Sequence, residues 1–516
     1  MFKNLGKDFP ASIVVFLVAL PLCLGVAQAS NPAGLDVVKP ISGLIAGIVG
    51  GIVIGLISGA SLSVSGPAAG LTAVVATSIT TLGTFELFLC ATIIAGLLQI
   101  IMGIAKLGVV GAYIPNTVIK GMLSAIGIIL ILKQAPKLVG WDKDPEGDEN
   151  FIQVDGENTF SEILKSLNHI SPVALIIGIA GLLILAAYEL KPLKKIKALQ
   201  YIPAPLIVVI LGVLVNNYFM GIGNTFALDT EHLVQLQVLN HIGDITSILP
   251  TPNFNGLLQY KVWVVAVTVA LVASLETLLG IEAVDKIDPE LRNTPTNREL
   301  LAQGSGNMMS GLLGGLPLTS VIVRSSANVN SGAKSKMSTI LHGGFLLLSL
   351  LFLAPIINQI PNAALAAILI FTGYKLAKVS LFIDMYKKGW NQFIPFVVTI
   401  TAILFTDLLK GVVIGIIVGL FYVIRSNYRT AITVINDGDN YLLKLKKEVS
   451  FLNKLQVKQT LEKIPDNCYL LIETTNATFI DLDIQEQIKD FVTNAPGRGI
   501  RVEIKSAYNK NFLFNN

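Results

Sequence analysis

Apolar residues along this chain fall into blocks of about 17–22, each long enough as a helix to cross a hydrocarbon core of roughly 30 Å. Blocks begin near Ala11, Ile41, Phe85, Ile114, Pro172 and Pro203. After a polar stretch a second series begins near Val262, Leu300, Met337, Ala363, Phe393 and Gly411. Two further segments are too short and too glycine-rich for ordinary spans. One runs Ser63-Val64-Ser65-Gly66-Pro67-Ala68-Ala69-Gly70, and the other runs from Gly314 to Arg324. Each stands third in its own set, so the pattern predicts two sets of about seven segments. Because the blocks recur along most of the chain, a cleaved signal peptide does not account for them.

Lys and Arg concentrate on the cytoplasmic side of membrane proteins. With Lys3 and Lys7 inside, the count places several basic groups in inner loops. They are Lys191, Lys194, Lys195 and Lys197; Lys286, Arg292 and Arg298; Lys334 and Lys336; Lys375, Lys378, Lys387 and Lys388; and Arg425 and Arg429. The connection from Trp141 to Glu162 falls outside and is mostly acidic (Asp142, Asp144, Glu146, Asp148, Glu149). Seven is odd, so the second set runs upside down relative to the first. The fold class expected is an all-α polytopic membrane protein of 14 segments in two inverted 7-segment repeats, a plan common in secondary transporters. The membrane domain spans 1–429, with repeats at about 8–220 and 258–429, and both termini lie in the cytoplasm.

Composition agrees. Charged residues make up 14% of the chain, against about 25% in a soluble domain. The net charge of +4 is too small to suggest nucleic acid. Cys23, Cys90 and Cys468 have no redox or metal spacing and read as core residues. Residues 430–516 change character. Tyr441–Leu445, Cys468–Ile472 and Gly499–Ile504 read as short strands, and Asp483–Thr493 as a helix. The tail is therefore a small α/β domain.

Irregular backbone survives in lipid only where protein or a water-filled cavity satisfies it. Gly66-Pro67 and Pro317 break helices, so each short segment predicts an extended piece followed by a half-helix. Two half-helix N-termini meeting near the midplane would make an anion site, since free N–H groups and the positive dipole end point into it. Arg324 falls at the start of the second half-helix, where a charge costs several kcal/mol unless solvated or paired. We assign it to the electrostatics of that site, against a structural ion pair or an arginine snorkelling to the outer surface. Glu276 lies inside the eighth block and needs a proton, a cation or a hydrogen-bond network. It is the candidate for coupling to Na⁺ or H⁺, against a structural bond to the half-helix. Gln28, Thr319 and Ser320 are further candidates. His169, His232, His241 and His342 do not cluster, so no metal site is expected. There is no nucleotide-binding loop and no Ser-His-Asp or Cys-His set, hence no organic cofactor and no enzyme.

Several runs resemble the SulP family of inorganic anion transporters, over essentially the whole chain. They include Phe16–Pro21, Ser63–Pro67, Ile114-Pro115 through Gly121-Met122, and Asn297–Leu300 leading to Gly304–Asn307. Gly314–Pro317 leading into Arg324-Ser325, and Thr406-Asp407-Leu408, complete the set. The tail resembles the STAS domain that usually follows in this family. The resemblance implies a uracil-permease-like division into core and gate, movement of one past the other, and often a homodimer. It implies that Ser65, Gly66, Pro67, Ala68 and Ala69 line one side of the anion site, and Ile322, Val323, Arg324 and Ser325 the other. Glu276 stands where Na⁺- or H⁺-coupled members keep an acidic residue. Leu22 and Val323 stand where many members carry Gln and Ser, which throws weight onto backbone donors. In the tail, Glu473-Thr474-Thr475 replaces the usual phosphorylation pattern. Bicarbonate with Na⁺ is the expected cargo, in a cell inner membrane, with H⁺-coupled sulfate as the alternative. An exchanger or channel of the same fold and a receptor role for the tail are the rival readings. A carbonic anhydrase is a conceivable soluble partner that no residue marks.

Overall fold

A helix satisfies its own backbone, so apolar blocks in lipid fold as helices. The computed structural model describes residues 4–32, 35, 37–109, 114–142, 151, 158–190, 202–221, 227–236, 249–430 and 432–506. Lys3, Asp144, Glu146, Asp148, Glu149, the lysines between 191 and 197, and His241 lie outside them. The chain divides into two compact units, Met1–Ile416 and Ile417–Asn516.

The first unit opens with α1 (Leu5–Ala29) and α2 (Pro40–Val49), which continues through a π-type turn (Gly50–Ile54) to Ile57. A three-residue strand β1 (Ser65–Pro67) then leads into α3 (Thr72–Leu82). Gly83, at φ +86°, ends α3, and the Thr84 hydroxyl caps α4 (Phe85–Ile104). Next come α5 (Asn116–Leu138), the short α6 (Thr159–Ser166), α7 (Pro172–Tyr188) and α8 (Ala204–Gly221). The second half begins with α9 (Tyr260–Ile287), α10 (Thr296–Leu312), β2 (Leu318–Ser320) and α11 (Ile322–Asn330). It closes with α12 (Met337–Leu348, prolonged by a π-type turn, Ser349–Leu353), α13 (Asn362–Leu376), α14 (Val379–Lys387), α15 (Trp390–Phe405) and the first part of α16 (Leu408–Thr430), within which the unit ends at Ile416. Among the described residues, eight helical stretches are long and apolar enough to cross a membrane. Ala69–Leu82, Pro172–Tyr188, Trp390–Phe405 and Leu408–Ile424 are shorter apolar helices.

Apolar burial alone does not hold helices together in lipid, so close backbone approach matters. Helices α4 and α10 touch at Gly96 and Gly304. A Cβ on either would come within 2.6 Å of the other's carbonyl oxygen. Seven residues further along each helix the contact repeats: a Cβ on Gly103 would meet the Asn297 carbonyl at 3.0 Å, and one on Gly311 the Leu89 carbonyl at 3.0 Å. One face of α10 is thereby committed to α4, which leaves its other face for the polar work described below.

In the second unit, β3 (Ile432–Asp437), β4 (Asn440–Val449), β5 (Tyr469–Ile480) and β6 (Arg501–Lys505) form one sheet in the order β3-β4-β5-β6. The β3–β4 pair is antiparallel and the other two are parallel. Two helices, α17 (Lys454–Glu462) and α18 (Leu482–Asn494), complete the unit. Leu443, Leu445, Leu470 and Ile472 alternate along the strands into a core shared with Val457, Leu461, Ile484 and Ile488, the period-two burial expected of a one-sided sheet. The parallel steps require helical crossovers, which α17 and α18 supply. The three strands and the helix expected from the tail are all present. The first strand and α17 went unread because Ile432–Asp437 follows the last apolar block almost without a break and Lys454–Glu462 is largely polar.

The α4–α10 contact gives a test. Gly304→Leu should destabilise the detergent-purified protein by about 1–3 kcal/mol or more through overpacking. Gly344→Leu, whose Cβ meets nothing within 4 Å, should stay within about 0.5 kcal/mol. Thermal unfolding monitored by tryptophan fluorescence reads both.

Candidate functional site

The two extended pieces meet. β1 and β2 pair antiparallel, with Ser65 opposite Ser320, Gly66 opposite Thr319 and Pro67 opposite Leu318. All six residues are buried. Beyond the strands the chain turns helical on both sides, through a 3₁₀ turn (Ala69–Leu71) into α3 and directly into α11. The Val321 N–H donates to the Val64 carbonyl at 2.9 Å and the Ser325 N–H to the Val321 carbonyl at 3.0 Å. That leaves Ile322, Val323 and Arg324 as the first-turn N–H donors without an intrahelical acceptor.

The hydroxyls expected to line the site are mostly occupied in fastening this crossing. Ser63 and Ser320 hydroxyls share a 2.6 Å bond. The Ser325 hydroxyl accepts from the Val64 N–H at 2.9 Å and donates to the Val321 carbonyl at 2.7 Å. Ser65 accepts from Gln303 Nε2 at 2.6 Å. Thr319 is fully buried, with its hydroxyl unbonded.

Arg324 is the largest fully buried side chain of the described residues, at 0% exposure. Gly66 makes this possible, because a Cβ there would sit 1.9 Å from Arg324 Nη1. Nη2 donates to the Pro67 carbonyl at 3.2 Å, while Nε and Nη1 make no hydrogen bond. Among the described ion pairs none involves Arg324. A cation this deep without a counter-charge is costly, and its positive field falls on the crossing.

Helix α9 supports both halves. The Glu276 carboxylate lies against the start of α3, where a Cβ on Gly70 would come within 2.9 Å of Oε1. One residue on, the Thr277 hydroxyl accepts from the Ser320 N–H at 3.4 Å. Gly280 lets the Ser320 carbonyl approach, at 2.6 Å from where its Cβ would be. So one helix brings the candidate coupling carboxylate to the first half-helix and holds the strand of the second.

Sequence reasoning missed a ladder on α10. Glu299, Gln303, Asn307 and Ser310 are all 0% exposed and share one helix face by their spacing. Gln303 Nε2 bridges Ser65 and the Glu299 carboxylate, and Glu299 also accepts from Ser58. Asn307 reads Leu318 on both sides, accepting from its N–H at 2.7 Å and donating to its carbonyl at 3.1 Å. Ser310 donates to the Leu316 carbonyl at 2.6 Å. The signal was available, as four polar residues every three to four positions in a 17-residue helix. Gln28, by contrast, is exposed in the last turn of α1, and its carbonyl accepts from the Asn31 N–H at 3.1 Å. No described contact joins its side chain to the crossing.

Two cavities approach the crossing from different elements. One of about 810 Å³ is lined by Ala69, Gly70, Ala73 and Thr77, by Thr268 on α9, and by the turn from Thr406 to Lys410. The other, about 200 Å³, reaches Ala327 and Asn330 on α11 and is lined also by Tyr188 and Lys375. Arg324 lines neither; its side chain packs behind Gly66 and Pro67.

Known proteins resemble this one in sequence and in fold. A model of the sulfate permease family matches residues 5–401. A putative sulfate transporter of Bacillus subtilis (strain 168), YvdB, is 28% identical over 82% of this chain and 74% of its own length. The bicarbonate transporter BicA of a Picosynechococcus species is 25% identical over 88% of this chain and 77% of its own. The solved structure of SLC26A9 superposes with a TM-score of 0.66 at 16% identity, covering 98% of this chain and 85% of that one, a likeness of fold that takes in a small C-terminal α/β region consistent with a STAS domain. Crossed half-helices, a buried arginine and a family match over most of the sequence converge: this multi-pass membrane protein belongs to the sulfate permease family and is a secondary transporter of an inorganic anion rather than an enzyme.

Proposed function

We propose that this protein takes up bicarbonate coupled to Na⁺ by moving a core domain past a gate domain. One observation carries the anion part of the reading. The Arg324 guanidinium is buried without a counter-charge beside two helix N-termini, and an anion there relieves the cost of that burial. In this reading Ser65, Gly66, Pro67, Ala68 and Ala69 and residues Ile322, Val323, Arg324 and Ser325 form the two walls, with Thr319 and Ser320 at the crossing. Since the serine hydroxyls are engaged, main-chain N–H groups do the ligating and Arg324 acts through its field. Ala69 and Gly70 line the larger cavity, which gives the anion its way in. Glu276, against Gly70, is placed to hold Na⁺ next to it.

The two-repeat architecture belongs to the same proposal, with fourteen segments once the short α6 and α14 are set aside: α1–α4 and α9–α12 as core, and α5, α7, α8, α13, α15 and α16 as gate. Glycine contacts support it. Gly96 faces Gly304, and Gly51 on α2 faces Gly343 on α12. A shift of about 250 residues carries Gly51 to Gly304 and Gly96 to Gly343, so one contact maps onto the other. The same shift exchanges Gly127 and Gly373, which face each other. An odd number of segments per repeat inverts the second, with both termini cytoplasmic at the inner membrane and the tail from 430 to 516 beside them. A second copy of the chain, and a carbonic anhydrase to interconvert cargo, are the partners this reading calls for. Sulfate with H⁺ is the second reading, favoured by the similarity to the putative sulfate transporter.

Purified protein in liposomes tests this, with CO₂ controlled because it crosses bilayers unaided. Labelled bicarbonate should enter saturably under an inward Na⁺ gradient, and Glu276→Gln should abolish the Na⁺ dependence. Sulfate uptake driven by a pH gradient would replace both cargo and cation. Arg324→Gln should lower uptake by about tenfold or more, the worth of a lost charge-assisted interaction, with the protein still folded by its thermal midpoint. Unchanged uptake in this variant would remove Arg324 from the site.

A further inference from the structure

Residues Leu228 to Leu236 run over the ends of several helices with only one helical turn of their own (Thr230–His232). Five bonds nevertheless pin them. The Leu228 N–H donates to Asn216 Oδ1 on α8 at 2.9 Å. His232 Nδ1 meets Asp142 Oδ2, four residues past α5, at 2.7 Å. The Val234 N–H donates to the Ile360 carbonyl at 3.0 Å. Asn358 clasps Leu236 from both sides, accepting its N–H at 2.7 Å and donating to its carbonyl at 2.9 Å. Beneath the strap is a cavity of about 360 Å³ whose floor is Leu24, Pro40 and Ile41 at the ends of α1 and α2, and Leu350 of α12. The strap is thus held at Asp142, in the connection after gate helix α5, at Asn216 on gate helix α8, and at Asn358 and Ile360 between α12 and α13, while it covers core helices.

We propose that this strap is a proton-sensitive latch between gate and core, closed by the ion pair of His232 with Asp142. The proposal rests on the core-and-gate movement proposed above. Asp142 is nearly buried, with 7% of its side chain exposed, against 29% for His232, so the pair is shielded from salt more than a surface pair. Asp229 and Glu231, in the strap's own turn, add to the negative surroundings of the ring. Trp141, next to Asp142, packs against His169 with the rings tilted and their centroids 4.7 Å apart. The bond from Asp142 is the largest influence on His232 and holds its pKa above the usual value near 6.5. A raised histidine pKa means the latch has its full strength below about pH 6.5 and loses it as pH rises through the raised value. Acid on that face closes the latch and slows the core; neutral to alkaline conditions release it.

The latch can be read without any transported ion. Ile41, 3% exposed under the strap, is replaced in Ile41→Cys, and a charged thiol reagent is added to proteoliposomes at pH 6 and pH 8.5. Cys23, Cys90 and Cys468 are buried and stay in place. Rates are divided by those of Ile41→Cys/Asp142→Asn at the same pH, which cancels the reagent's own pH dependence. The expected ratio is about one-tenth at pH 6, the protection one charge-assisted bond gives, and close to one at pH 8.5. His232→Gln should abolish the pH 6 protection as Asp142→Asn does. Equal ratios at both pH values overturn the latch. If Ile41→Cys does not fold, a fluorophore on Gln235→Cys, exposed on the strap, reports the same motion. Normal labelling with no uptake of bicarbonate or sulfate would leave the latch standing and remove the proposed cargo instead.

Discussion

Everything in the membrane unit is arranged around two three-residue strands that cross where a helix would ordinarily run. Extended backbone at that depth has polar groups no solvent reaches, and each unsatisfied one costs several kcal/mol. The pairing of Ser65–Pro67 with Leu318–Ser320 satisfies part of the need. Asn307, Ser310, Thr277 and Ser325 bond much of the rest, each to a named backbone group. The protein concentrates its buried polar side chains here because the alternative is an unpaired main chain in hydrocarbon.

Helix α10 shows how one element serves two demands. Its glycines allow α4 to approach within backbone contact, and its Glu299, Gln303, Asn307 and Ser310 face the strands. Helix α9 divides its work along its length in a similar way, with Glu276 and Thr277 at the crossing. Both helices have to be placed accurately for the half-helix ends to meet. Rigid glycine packing on one side is what lets polar bonds on the other be short and directional.

Much of this was legible in the sequence. Apolar runs announced the helices within a few residues of their starts, since length and hydropathy are all that a membrane asks of a span. Gly66-Pro67 and Pro317 announced the two interruptions, because those residues cannot continue a helix. The depth of Arg324 was legible, but not whether its side chain stays buried or reaches the surface, which Gly66 decides by making room for it. What stayed hidden depends on which face of a helix meets which neighbour. Of the ladder on α10, Glu299 and Asn307 were read only within motif runs, and Gln303 and Ser310 not at all, because nothing local shows that the four share one face. The serines of the short segments were expected to face a ligand, yet their nearest partners are each other, Gln303 and the backbone. His232 and Asp142 are 90 residues apart, and no local pattern reports such a meeting.

The engagement of those serine hydroxyls has a consequence for how such a scaffold diversifies. If the cargo is held by main-chain N–H groups, no point substitution can delete a ligand, because every residue except proline has the same one. A family built on this plan tolerates drift at the site without losing the ability to hold an anion. It also cannot retune recognition by exchanging one ligating side chain for another. Discrimination between a planar and a tetrahedral anion is left to the volume and polarity of the positions around the donors, here Ala68, Ala69 and Val323. New cargo preferences would then arise through small changes in apolar bulk, on an unaltered backbone.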